Sequence, residues 1–416
     1  MNLDRRQFIA LAASGLLMPN RLLANTGDER KFVFVFCPGG WDQCYLSAPL
    51  FGMSNIDMEA DAELGQLGGI TFVDSPSRPS VRSFFQQYGH LTALINGFEA
   101  RSIAHDICLR LVCTGSSLPG HDDWPSIIAA HSNSNPIMPM VHVSGPAYSQ
   151  DYGSSIVRVG SGGQLSKLLQ GTALNQSDIP VSLPQEQLDL QEDLWASDIA
   201  LVRKEAAYRG RARQILDNNA TAQDRLLRLR ELRNQLELSN TAQLSGAFGL
   251  AKDVLRLGAS RTIMLGFEGG MSLGWDTHAA NFLQGEHLET LFSSLKSFVQ
   301  SLHNTNGQNG RPLIETTTVV VLSEMGRFPQ LNSRGGKDHW TYTSALMLGS
   351  GIEGGQTIGS FDTNCFGRKI QLSTGEVSET GVSMTPAHIG STLLQLADID
   401  PGRYIDNAGA IGAVIR

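Results

Sequence analysis

The sequence predicts an α/β fold, a three-layer sandwich around a mostly parallel central sheet. Continuous apolar runs bounded by turn residues recur along the chain, and segments of helical period alternate with them. Roughly 390 residues follow a short apolar N-terminal stretch, enough for one large domain.

The N-terminal stretch reads as a targeting segment. Arg5 and Arg6 precede an apolar run from Phe8 to Met18, which Pro19-Asn20-Arg21 ends. That run has about half of the roughly 20 apolar residues a membrane span needs. A basic start, a short apolar core and Leu22-Leu23-Ala24 as a cleavage point fit a removable signal at residues 1–24. The paired arginines before Phe8 resemble the twin-arginine type, which implies the twin-arginine translocase as partner and a periplasmic or secreted protein. Leu22 is large where cleavage prefers a small residue, so a tethered form stays open. Residues 25–416 are then expected as one domain.

Within it, Lys31 to Cys37 is apolar throughout and stops at Pro38-Gly39-Gly40, the pattern of a strand buried on both faces. Similar runs lie at Leu91 to Phe98 and Pro139 to Ser144, with a helical segment from Ile103 to Cys113 between them. Pro184 to Leu257 is richer in charged and long side chains, with Leu226, Leu229, Leu232 and Leu236 at helical intervals. It reads as a helical insertion, 184–257. Strand patterns return at Arg261–Phe267, Thr316–Leu322 and Tyr342–Leu348, and helical ones at Gly285–Leu302 and Ala387–Ala397.

A net charge of −8 provides no basic footprint for nucleic acid. No later segment is long and apolar enough to form a stable transmembrane helix. The five cysteines form no CxxC pair, and a chain folded before export is expected to keep them as buried thiols. A Cys37–Cys44 or Cys108–Cys113 bridge is the alternative.

In folds of this class ligands bind beyond the carboxyl ends of the strands. The polar clusters fall there: Asp42 after the first strand, Asp276 and His278 after the Arg261 strand, Ser323, Glu324 and Arg327 after the Thr316 strand, then Asp338-His339. Carboxylates and imidazoles are the ligand set of divalent ions such as zinc, manganese or calcium. Each cluster alone could equally be a turn or a helix cap.

The order of the motifs adds to this. GWDTHAANF, VVVLSEMGRFP, GGKDHW and LGSGIEGGQTIG, with GGWD after the first strand, resemble the bacterial family called domain of unknown function 1501. The resemblance spans nearly the whole chain. It implies an alkaline phosphatase-like or sulfatase-like architecture with a two-metal rim. By that resemblance Asp42, Asp338 and His339 would hold one ion, and Asp276 and His278 the other. His388 is a third ligand for the second ion or, as the stronger alternative, a helix-start residue. Two such ions would neutralise charge on a phosphoryl or sulfuryl group.

A nucleophile in that superfamily sits at a helix start, which points to Ser102. His105 would be a base or an extra ligand, and Arg101 or Arg327 a clamp on the anion. No phosphatase or sulfatase nucleophile motif surrounds Ser102, however, and an N-cap role fits it as well. Glu324 and Arg327 could instead pair to brace their loop. The implied activity is an exported metal-dependent hydrolase of small anionic phosphate or sulfate esters. The alternative is a non-catalytic exported protein that binds a ligand or partner.

Overall fold

The computed structural model describes residues 29–159, 240–270 and 274–416, with scattered positions between 160 and 239. The signal segment and most of the 184–257 insertion therefore lie outside the described residues. The final helix of that stretch is inside them, and Leu229 and Leu236 are buried in the core.

An eight-stranded sheet organises the chain. Its strands are β1 (Lys31–Phe36), β4 (Thr92–Glu99), β5 (Met140–His142), β6 (Ile156–Arg158), β7 (Thr262–Gly266), β8 (Thr317–Leu322), β11 (Tyr342–Gly349) and β12 (Gln356–Ile358). The spatial order is β12-β4-β11-β8-β1-β7-β5-β6. Every pairing is parallel except those of β11, which runs against both β4 and β8. The mostly parallel α/β sandwich read from the sequence is thus the observed one. The short pairs β2 (Glu63–Leu67) with β3 (Ile70–Asp74), and β9 (Gly326–Arg327) with β10 (His339–Trp340), stand apart from it.

Alternation along β1 shows why its run is apolar throughout. Val33 and Val35 enter one core, and Phe32, Phe34 and Phe36 enter the other. Beyond the one-turn α1 (Gln43–Leu46), the first core is closed by α2 (Pro79–Tyr88), α5 (Leu244–Arg256) and α6 (Leu283–Asn304), through residues such as Phe84, Phe248 and Leu291. The second is closed by α3 (His105–Thr114), α4 (Trp124–Ala130) and α7 (Pro386–Leu396), through Val112, Ile127 and Leu393. Each such side chain, fully withdrawn from water, contributes about 1.5–3 kcal/mol. A sheet with two dry faces cannot present a ligand there, so its ligand-facing groups are confined to the rims.

All five cysteines are buried free thiols. No helix among the described residues is long and apolar enough to cross a membrane.

Candidate metal centre

The rim of interest lies at the carboxyl ends of β1, β4, β7 and β8. Because β11 is reversed, its start joins the same rim, bringing β10 with it. The loop after β1 turns on Gly39 (φ +117°) and Gly40 (φ +85°), a conformation that side chains resist. A Cβ on Gly39 would lie 2.7 Å from the Asp276 backbone nitrogen, so only glycine lets the two loops touch.

Ser323 and Glu324, just past β8, clamp that turn. The Glu324 carboxylate accepts from the Gly39 N–H at 2.8 Å, and the Ser323 hydroxyl accepts from Gly40 and donates to the Cys37 carbonyl at 2.6 Å. Gln284 of α6 ties the same turn to the loop after β7. Its carbonyl accepts from Asp42 N–H, and its amide donates to Gly40, Trp275 and Thr277.

On this frame three imidazoles meet one carboxylate. His105 from the start of α3 has Nε2 3.5 Å from Asp276 Oδ1, and His278 and His339 each place Nε2 at 3.3 Å from the same oxygen. The Nε2 atoms of His278 and His339 are 2.9 Å apart. The other nitrogen of each ring faces an acceptor: His105 Nδ1 meets Glu324 Oε1 at 2.7 Å, His278 Nδ1 meets Asp338 Oδ1 at 3.0 Å, and His339 Nδ1 meets the Ile103 carbonyl at 2.7 Å. Carboxylates and carbonyls only accept, so all three Nδ1 atoms carry the proton. In the neutral rings the three Nε2 lone pairs therefore converge.

This donor set suits a cation. Lone pairs 2.9 Å apart repel unless one ring takes a second proton. His105 Nε2 is buried and makes no hydrogen bond. Ligand atoms of His105, Asp276 and His339 all lie within 4.8 Å of one another, a group that could hold a metal ion. Histidines braced through Nδ1 by carboxylates and carbonyls are the arrangement that orients metal ligands.

Charges follow the same geometry. Burial would raise the Asp276 carboxyl, but His105, His339 and Arg327 outweigh it and hold it well below the carboxylate range. Asp276 and Glu324 together raise His105 to about 9 against the effect of burial. Its hydrogen bonds to His278 and Asn332 lower Asp338, although Asp338 is exposed.

Asp276, His278, Asp338, His339 and His105 are thus brought together, with Asp338 touching the centre through His278. The other expected residues stand differently. Asp42 is fully buried: its carboxylate accepts from Cys44 N–H at 2.9 Å and Asn281 Nδ2 at 2.9 Å, and pairs with Lys337 Nζ at 2.8 Å. Lys337 is equally buried. Burial works to lower its pKa, and the Asp42 carboxylate overrides this and raises it.

His388 lies at the start of α7, where its ring closes a capping box with Thr385, the helix-start role. Arg327 is fully buried, and its guanidinium donates to the Gly39, Gly40 and Lys337 carbonyls and to Asp276 Oδ1 at 2.5 Å. It positions Asp276 rather than reaching out to clamp an anion, and its ion pair is with Asp276, not Glu324. Ser102 lies outside α3, whose N-cap is Ala104. Its hydroxyl accepts from Ala104 N–H at 3.2 Å.

A family model described as "Protein of unknown function (DUF1501)" matches residues 29–410. The chain belongs to this family. No curated protein matches the DUF1501 chain in sequence. Among solved structures it is similar to the lipoteichoic acid synthase LtaP from Listeria monocytogenes, at 10% identity and TM-score 0.45, covering 93% of this chain and 76% of that one. It is also similar to the PsFucS1 sulfatase from Pseudoalteromonas sp., at 10% identity and TM-score 0.41, covering 100% and 78%. A third similar structure is the lipooligosaccharide phosphoethanolamine transferase A from Neisseria meningitidis, at 12% identity and TM-score 0.42, covering 99% and 65%.

Sequence reasoning missed Gln284, Asn281 and Lys337. Lys337 had a signal, since it directly precedes Asp338-His339. Gln284 had none, because a glutamine inside an amphipathic helix reads as surface until its neighbours are known.

Proposed function

We propose that this DUF1501 chain is an exported hydrolase of phosphate or sulfate esters that depends on a divalent cation. The observation that carries the reading is the convergence of three Nδ1-braced imidazoles on the Asp276 carboxylate. His105, Asp276, His278 and His339 would hold the ion; zinc and manganese suit these ligands best. A bound ion supplies neutralisation of charge on a phosphoryl or sulfuryl oxygen and lowers the pKa of a coordinated hydroxyl or water.

The chain's own residues do the rest. Glu324 fixes the tautomer and aim of His105, Asp338 does so for His278, and the Ile103 carbonyl for His339. Arg327 anchors Asp276 from its buried side. Ser102, three residues before His105, is the hydroxyl proposed to attack the phosphorus or sulfur; the ester's alcohol would leave with a proton, and water would then cleave the seryl ester to release phosphate or sulfate. The engagement of that hydroxyl in its own turn favours the rival reading, a binding protein without chemistry.

One experiment separates the two. Purified protein loaded with Mn²⁺ or Zn²⁺ is assayed on a panel of phosphate and sulfate monoesters and diesters, with His278→Ala/Asp338→Ala and Ser102→Ala as controls. The hydrolase reading expects turnover that both variants lower by at least about 100-fold. Turnover that survives the double variant rejects this site, and turnover that survives Ser102→Ala rejects the nucleophile alone. Ester binding with no turnover establishes the rival.

A further inference from the structure

We infer that the centre takes one divalent cation per chain, and that Lys337 is a built-in ammonium on Asp42 where a second ion would otherwise be needed. The inference rests on the metal-dependent reading above for the ion, but not for the ester chemistry.

The ligand atoms have a single focus. The Nε2 atoms of His105, His278 and His339 all face Asp276 Oδ1, and no second such group occurs among the described residues. Asp42 follows the first strand, where the family resemblance would put a second ion's carboxylate, but its charge is already met within the protein. Two N–H donors and the Lys337 ammonium occupy the carboxylate. Lys337 Nζ is itself secured by the Asp57 carbonyl at 2.8 Å and lies 5.6 Å from the centre of the Tyr45 ring. The ammonium is fully buried among these partners.

Charge balance agrees. Asp42, Asp276, Glu324 and Asp338 are linked through Lys337, Arg327 and the histidines into one network. With neutral imidazoles, four carboxylates against two fixed cations leave a charge of −2, which one divalent ion cancels. Two ions would leave the network at +2 beside the two buried organic cations Arg327 and Lys337, a repulsive arrangement.

The test is metal stoichiometry. Stripped full-length protein is titrated with Mn²⁺, with free ion read by electron paramagnetic resonance and bound metal by elemental analysis after gel filtration. The expected result is one tight equivalent. Asp276→Asn and His339→Ala should each weaken it by about tenfold or more. The double variant Asp42→Asn/Lys337→Met, which removes both buried charges together, should keep one equivalent with affinity within about threefold.

Two tight equivalents in the unmodified protein overturn the inference, as does loss of the ion in the double variant. Binding of no ion overturns both this and the metal-dependent reading. One equivalent without ester turnover sinks the hydrolase proposal and leaves this inference standing; turnover with two equivalents does the reverse.

Discussion

Lys337→Met should be among the most damaging single substitutions in this chain. The methionine fills similar space but leaves the Asp42 carboxylate fully buried with no countercharge. Asp42 would keep its bonds from Cys44 N–H and Asn281 Nδ2, which offset part of the loss. The Asp57 carbonyl would lose the Nζ donor it holds at 2.8 Å. Removing one partner of a buried ion pair costs about 3–5 kcal/mol, and we expect this range. Replacing both charges in Asp42→Asn/Lys337→Met should cost only about 1–2 kcal/mol, because no charge is then left unpaired. In the cycle closed with Asp42→Asn, which leaves the Lys337 ammonium unpaired, the two single costs should sum to well above the cost of the double variant. Urea denaturation followed by tryptophan fluorescence reads this directly, since Trp41 and Trp275 are buried beside the site. A cost below about 1 kcal/mol for Lys337→Met, or a double variant no better than the single one, would refute the role given to this pair.

Other consequences are open to measurement. Glu324→Gln removes the charge behind His105 and sets an amide NH2 against the Ser323 hydroxyl, which already accepts from Gly40 and Trp41, so Mn²⁺ affinity should fall about 10–100-fold in calorimetry. Burial raises the Asp123 carboxyl to about 6 despite its hydrogen bonds from Tyr148 and Ser126. The folded state therefore binds this proton more tightly than the unfolded chain does, and the associated stability, present at low pH, is lost as pH rises through about 6. Between pH 4 and 7 the unmodified protein should lose about 2 kcal/mol more than Asp123→Asn, and matching pH profiles in urea would contradict this. Replacing Arg5 and Arg6 with lysine should hold the chain in the cytoplasm on cell fractionation, whereas unchanged export would point to another route.

Much of the fold can be read from the chain alone because two-sided burial writes itself locally. Phe32–Phe36 is apolar throughout since successive side chains enter different cores, and the same holds for Val319–Leu322. The two-stranded ribbons and the edge strand Gln356–Ile358 leave no such trace. They are short, and the pairing of Gln356–Ile358 depends on β4, more than 250 residues away.

The candidate site divides along the same line. Sequence alone determined which residue types gather at the carboxyl rim, because strand order and motif order put Asp276, His278, Asp338 and His339 in loops that must meet there. Only the tertiary structure decided their roles. It moved His105 into the centre, closed Asp42 against Lys337, bent Arg327 inward to three carbonyls and Asp276, and set His388 to cap its helix. The physical reason is that a carboxylate's function depends on what satisfies its charge. For Asp42 that partner is an ammonium 295 positions away in the chain, fixed only once both cores have closed.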